Sequence, residues 1–172
     1  MKIQIIGPSG SGKTTLGKYI SSQLNVNFID TDTYFWKDVK NKVPNSISDR
    51  EAIFLEDLNK DTNNWVVSGS IFSWNKVHLM DRDIIIYLSV EEEMRIERLI
   101  TRTNKTKNPS ELDPNFLTWA KTYFSETDVK KGGTYICHMA ELKVIEEKTD
   151  AKIIYLSGEE TVEINFKKMN QI

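Results

Sequence analysis

The sequence predicts an α/β fold, a doubly wound five-stranded parallel sheet, and three observations carry that prediction. Short apolar runs alternate with helical patterns along the chain, as successive βαβ units require. The first run, Ile3-Gln4-Ile5-Ile6, is followed at once by Gly7-Pro8-Ser9-Gly10-Ser11-Gly12-Lys13-Thr14. That segment fits G-x-x-x-x-G-K-[ST], and a helical pattern comes next, the context in which the pattern cradles phosphate. Finally, no apolar segment approaches the ~20 residues of a membrane span, so runs such as Ile84-Ile85-Ile86-Tyr87-Leu88 are expected to be buried strands.

The elements follow in order. After the loop, Leu16, Tyr19, Ile20 and Leu24 recur near a 3.6 period and predict the first helix. A second strand is expected at 26–29 and a polar connection at 37–48. Ser48-Asp49-Arg50-Glu51 reads as a capping box opening a helix with Phe54, Leu55 and Leu58 inward. Further strands are expected at 65–68, 83–88 and 152–156. A charged helix with Arg95, Arg98 and Arg102 on one face follows the fourth strand. The polar stretch 101–115, rich in Lys, Thr, Asn and Pro, is expected to be a small lid. The 172 residues, 39% of them hydrophobic, suit one domain spanning 1–172.

The loop residues dictate their chemistry. Gly7, Gly10 and Gly12 admit positive φ and leave no Cβ in the way, so successive N–H groups of the segment through Ser9, Ser11 and Thr15 can converge on phosphate oxygens. Lys13 is a mobile point charge for the outer phosphates, and the Thr14 hydroxyl is an oxygen ligand of the kind Mg²⁺ takes.

In a doubly wound sheet, ligands sit beyond the carboxyl ends of the strands. There the sequence places Asp30-Thr31-Asp32, Ser68-Gly69-Ser70 and Ser157-Gly158. The two aspartates admit two readings: completing a Mg²⁺ site (Asp30) while orienting a substrate hydroxyl (Asp32), or capping a turn and facing solvent. Arg98 and Arg102 have no acidic residue four positions earlier, which suits a phosphate-facing role; Arg95 has Glu91 there. Tyr34, Trp74 and Trp119 cluster near strand ends, where aromatic rings either enclose an acceptor or fill the core. His78 and His138 have no nucleophile motif or metal-ligand spacing around them, and Cys137 reads as a buried small hydrophobe.

A formal charge of −2 argues against nucleic acid as a main partner. One cysteine allows no internal disulfide, and the first strand pattern begins without a leader-like segment, so a cytoplasmic, non-membrane protein is expected, a monomer or homodimer.

With these parts in this order, the chain resembles the adenylate-kinase-like and shikimate-kinase-like small P-loop kinases over nearly its whole length. A narrower likeness is to bacterial adenylate-kinase-like ATPases that pair a Trp-Val-x-Ser-Gly-Ser stretch with a Phe-Leu-x-Trp-Ala segment. Here these are Trp65-Val66-Val67-Ser68-Gly69-Ser70 and Phe116-Leu117-Thr118-Trp119-Ala120, followed by Tyr123 and His138. The resemblance implies a sheet of order 2-3-1-4-5, ATP and Mg²⁺ as cofactors, and a lid whose arginines close over the phosphates. It also implies that Ser157-Gly158-Glu159 passes backbone over the adenine ring. Three departures stand out. Ser68-Gly69 replaces a Walker B aspartate, leaving Mg²⁺ to Thr14, water and Asp30. Gly69-Ser70-Ile71-Phe72 replaces the Asp-Gly-x-Pro-Arg segment of true adenylate kinases. The triple glycine and arginine set expected for shikimate is missing.

The expected activity is therefore transfer of the γ-phosphoryl of ATP to a small acceptor, a nucleoside, nucleotide or other hydroxylated metabolite. Lys13, Arg98 and Arg102 would neutralise charge and Asp32 would orient the acceptor hydroxyl. Gly69, Ser70, Tyr34, Trp74 and Trp119 would line the acceptor site with Asp30 and Asp32. The alternative is a nucleotide-dependent switch or accessory ATPase acting on a macromolecular partner, since the same loop serves both classes.

Overall fold

The computed structural model describes residues 1–38, 43–60, 63–74, 81–104 and 115–171. Its strands are β1 (Lys2–Ile6), β2 (Asn27–Asp30), β3 (Trp36–Asp38), β4 (Val43–Pro44), β5 (Trp65–Ser68), β6 (Ile84–Ser89) and β7 (Lys152–Ser157). Five form one parallel sheet in the order β2-β5-β1-β6-β7. Counted along the chain, those five run 2-3-1-4-5. The two short strands β3 and β4 pair antiparallel inside the connection expected to be loop.

The helices are α1 (Lys13–Leu24), α2 (Ile47–Leu58), α3 (Glu92–Thr103), α4 (Phe116–Lys121), α5 (Tyr135–Lys148) and α6 (Val162–Met169). They cover both faces of the sheet, which is why the first five residues of β6 are buried without alternation. On one face Ile3, Ile5, Val66, Ile86 and Leu88 pack with Leu16 and Ile20 of α1 and Met169 of α6. On the other, Ile6, Ile85 and Tyr87 meet Leu142 and Ile145 of α5, while Ile29 and Val67 meet Phe54 of α2. The alternation of Ile3 and Ile5 with Ile6 follows from the two-residue period of a strand.

Element boundaries shift where non-local pairing decides them. Ser89 and Ser157 pair across β6 and β7, extending both strands by a polar residue that propensity leaves out. Helix α2 begins two residues before the expected capping box: Ser46 is the cap, and its hydroxyl accepts from the Asp49 amide at 3.1 Å. Ser48 lies inside the first turn, because a serine three residues before an acidic side chain occurs twice here and the chain uses the earlier one.

The order of strands creates a crevice beside β1, since β2 and β5 lie on one side of it and the chain then crosses to β6 and β7 on the other. The loop after β1 opens there. Helix α3 continues through Thr103, so the start of the expected lid is helical; 105–114 lie outside the described residues, as does His78. Among the described residues, no helix is long and apolar enough to cross a membrane.

Candidate active site

Gly7, Gly10 and Gly12 all have positive φ, at 142°, 90° and 99°. Gly7 lies so close to β6 that a Cβ would overlap the Leu88 carbonyl. Gly12 caps α1 without a side chain, and the first turn of α1 carries no acidic residue. The orphan N–H groups and positive pole of a 12-residue helix therefore face the loop's concavity.

The Lys13 Nζ donates to the Pro8 carbonyl at 2.9 Å, folding the side chain over its own loop. Burial lowers its pKa, and the charges of Asp32 and, less strongly, Asp30 oppose that. Both aspartates therefore share an electrostatic environment with the lysine. The Thr14 hydroxyl donates to Asp30 Oδ2 at 3.0 Å, while Asp30 Oδ1 accepts from the Asp32 amide at 3.2 Å. Asp30 therefore caps the turn with one carboxylate oxygen and holds Thr14 with the other.

What holds Asp32 there is Thr31, which the sequence did not single out. Its buried hydroxyl donates to the Ser68 carbonyl at 3.1 Å, locking the turn Thr31–Tyr34 to the end of β5. Gly69, with φ 123°, packs against that hydroxyl so tightly that a Cβ would overlap it.

Beneath Gly69 and Ser70 lies a buried polar network. Gln4 Nε2 donates to the Gly69 carbonyl at 3.0 Å and to Glu141 Oε1 at 3.2 Å. The Ser70 hydroxyl donates to Glu141 Oε2 at 2.6 Å, and Arg82 donates to Gln4 Oε1. The sequence signals were a lone glutamine inside an apolar strand and a glutamate on the inner face of α5. Burial pushes Glu141 up to about 7, against the opposing effects of Ser70, Arg82 and Gln4.

With the folded value above the unfolded 4.5, the native state binds the proton more tightly, so stability falls as pH rises through 4.5 to about 7. Glu141→Gln removes that titration. It is expected to gain up to ~3 kcal/mol on the native protein between about pH 4.5 and about pH 8. Urea midpoints at the two pH values read this directly, and a constant difference between the proteins refutes it.

His138 shares a hydrogen bond at Nδ1 with the Tyr123 hydroxyl at 3.0 Å, which in turn meets the Tyr87 hydroxyl at 2.9 Å. Burial, with a contribution from the Lys13 charge, pushes His138 down to about 3, so it is neutral near pH 7. Cys137 is buried, and its thiol is pushed up to about 11 by burial.

The three arginines of α3 part company. Arg98 Nη1 donates to the Gly158 carbonyl at 3.0 Å. Arg98 and Arg102 line a cavity of about 370 Å³ with Gly10, Ser11, Gly12, Thr15 and Gly158. Gly158 approaches Ser11 so closely that a Cβ would overlap its carbonyl. A larger cavity, about 690 Å³, opens beside Met1, Asp83 and Lys152 at the amino ends of the strands, away from the loop.

Arg95 turns inward instead of joining a phosphate-facing row. It is 0% exposed, and its partner is Glu92 rather than Glu91, at 2.7 Å from Nη2. It also donates to the carbonyls of Ala120 at 2.8 Å and Ser9 at 3.4 Å, with its guanidinium over the Tyr123 ring. One side chain therefore ties the phosphate loop to α3 and α4. Arg95→Ala is expected to cost about 3 kcal/mol, since it strands the buried Ala120 carbonyl and the half-buried Ser9 carbonyl and removes a fully buried side chain. A shift in urea unfolding worth less than about 1 kcal/mol contradicts this role.

The aromatic candidates are dispersed. Tyr34 and Trp74 belong to the apolar cluster with Phe54, and the Tyr34 hydroxyl donates to Asp57 Oδ2 at 2.6 Å. Both rings are core here, because α2 lays Phe54 against each of them and they also meet each other edge to face. Trp119 is 41% exposed on α4, tilted against Phe116.

A glycine-lined anion nest, its lysine, a hydroxyl–carboxylate pair and a cavity on the far side of the loop, all at the switch point of a 2-3-1-4-5 sheet, define a small P-loop kinase. The comparisons agree. The chain belongs to the shikimate kinase family, whose model matches residues 9–131. It is 32% identical over 118 residues to the shikimate kinase of Vibrio campbellii (strain ATCC BAA-1116), covering 61% of this chain and 65% of that protein, just under two thirds. It is also similar to the uncharacterized protein YqaC of Bacillus subtilis (strain 168), 28% identical over 175 residues, covering 91% of this chain and 97% of that protein. Among solved structures, shikimate kinase from Aquifex aeolicus vf5 shares the fold with a TM-score of 0.51 and 21% identity, over 99% of this chain and 94% of that one.

Proposed function

We propose that the protein transfers the γ-phosphoryl group of ATP to a hydroxyl of a small metabolite. The observation that carries this reading is the convergence of Lys13, Asp30 and Asp32 on one loop, with Thr14 bonded to Asp30 at 3.0 Å. Phosphoryl transfer demands mainly positioning and charge neutralisation, and these residues suit both.

The phosphates rest on the N–H groups of the loop and the start of α1, with Lys13 beside the transferring group. Asp32, held by Thr31, accepts the proton of the acceptor hydroxyl as its oxygen bonds to phosphorus. The bond from phosphorus to the β–γ bridging oxygen breaks and ADP departs. Arg102, close enough to act on Lys13 electrostatically, adds positive charge over the phosphates. The Thr14 hydroxyl and Asp30 carboxylate are hard oxygen donors that fit Mg²⁺, which would neutralise phosphate charge when bound with the nucleotide.

The acceptor rests against Gly69 and Ser70. Ser70 already donates to buried Glu141, so a carboxylate seated on that wall would meet a second carboxylate beneath it. This favours an acceptor that presents hydroxyls there. The test is ADP formation from Mg²⁺-ATP against shikimate, sugars and other polyols, nucleosides and nucleoside monophosphates. A phosphorylated product from one of them establishes the reaction. Failure of every class to raise ADP output while Mg²⁺-ATP binds overturns it.

A further inference from the structure

The segment that carries the Gly69–Ser70 wall, Ser68-Gly69-Ser70-Ile71-Phe72-Ser73-Trp74, has no basic residue. What lies beneath it is a negative charge. Glu141, 0% exposed on α5, accepts from the Ser70 hydroxyl at 2.6 Å, from Gln4 Nε2 at 3.2 Å and from the Ile71 amide. The Arg82 charge acts on Glu141, but its guanidinium donates to Gln4 Oε1, so the Gln4 amide stands between the two. A second carboxylate is close by: Thr31 ties the turn that carries Asp32 to the Ser68 carbonyl and packs against Gly69. The cations of the site are sorted to the other side, with Lys13 folded over the loop and Arg98 and Arg102 lining the cavity behind it.

The polarity of Ser70 follows from its partners. A serine hydroxyl has one proton, and here it goes to Glu141 Oε2, leaving lone pairs, one of them facing the Phe72 amide at 3.5 Å. Ser70 is half-buried at the carboxyl end of β5, where ligands of such sheets sit. A ligand group there pairs with Ser70 only by donating. A carboxylate or phosphate sets acceptor against acceptor with a buried charge of the same sign behind. A neutral hydroxyl donates but leaves that charge unanswered, whereas an ammonium donates and opposes it.

We propose that the acceptor is a hydroxylated amine, bound as its ammonium ion against Ser70 with the reacting hydroxyl at Asp32. This deepens the reading of the protein as an ATP-dependent kinase and rests on it for the existence of an acceptor. Transfer is to oxygen, since an ammonium has no lone pair for phosphorus. The hydroxyl proton passes to Asp32, the new bond joins that oxygen to the γ-phosphorus, and ADP departs. Glu141 is a positioning residue, acting through Ser70 and through its charge. With its value near about 7, it is mostly ionised at about pH 8, where an aliphatic amine keeps its proton.

The test uses two matched sets with Mg²⁺-ATP at about pH 8, D-glucamine with sorbitol and D-gluconate, and ethanolamine with ethylene glycol and glycolate. Within a set one terminal group changes from ammonium to hydroxyl to carboxylate. Phosphorylated product and kcat/KM are measured for each, beside the broader panel. In the set that is turned over, the amine is expected to exceed the neutral member at least about tenfold, mostly through KM, and the carboxylate to give no product. Glu141→Gln is expected to bring amine and neutral member within about threefold. A purely structural Glu141 would change both alike and keep their ratio, which overturns the proposal. So does a native protein that uses the neutral or carboxylate member as well as the amine, and that ranking needs no variant to fold. Phosphorylation of shikimate, a nucleoside or a nucleotide and of no amine overturns the proposal and leaves the kinase reading standing. Phosphorylation of no acceptor of any class overturns both.

Discussion

Lys13→Ala is expected to lower turnover at saturating Mg²⁺-ATP by about 10³-fold while leaving the fold intact. The lysine is the one cation that the loop itself holds over its concavity, tethered to Pro8 at 2.9 Å. Its removal takes away charge stabilisation that grows as the phosphoryl group moves, so the loss falls on turnover more than on nucleotide affinity. Structural damage should be small, since the side chain donates to a carbonyl of its own loop. Lys13→Arg should not rescue, because a planar fork cannot occupy the place of a compact ammonium. ADP release with an identified acceptor, alongside thermal unfolding, measures both parts; a variant with native turnover would remove Lys13 from the mechanism.

The second large effect belongs to Asp32. Replacing it by Asn keeps the size and removes the base, so transfer should fall about 10²- to 10⁴-fold with ATP affinity changed less than about threefold. Asp32 also raises the pKa of Lys13 against the effect of burial. In Asp32→Asn the lysine therefore loses its proton at lower pH, and the alkaline limb of the pH–rate profile should move downward. A nucleotide-dependent switch would behave otherwise: hydrolysis stimulated by a macromolecular partner would survive this substitution. Measuring transfer, ATP binding and the alkaline limb together separates the two classes.

Much of this site was legible before the structure. The phosphate loop announces itself because its chemistry needs glycine at fixed spacing, and spacing is a property of the chain. The Asp-x-Asp was legible by its place after an apolar run. The divergent fates of the arginines were not. Arg95, Arg98 and Arg102 share one face of α3 by sequence. Yet Arg95 is held inward by Glu92 and by Ala120 and Ser9, which approach from elsewhere. Tyr34 and Trp74 looked like acceptor contacts until α2 laid Phe54 against them. Gln4, Arg82, Ser70 and Glu141 lie far apart in sequence, and no local pattern joins them.

The sequence by itself determined the class of fold and picked out the glycine loop after β1, with the lysine, threonine and aspartates that the structure brings together beside it. Those follow from residue type and near-neighbour spacing, which survive in a linear reading. Only the tertiary structure decided which arginine is a strut, which aromatics are core, that a buried glutamate lies under Gly69 and Ser70, and that Asn165 Oδ1, among the described residues, is buried without a partner. Each of those depends on what another segment brings to a buried polar atom, and that pairing exists only once the sheet has brought distant residues together.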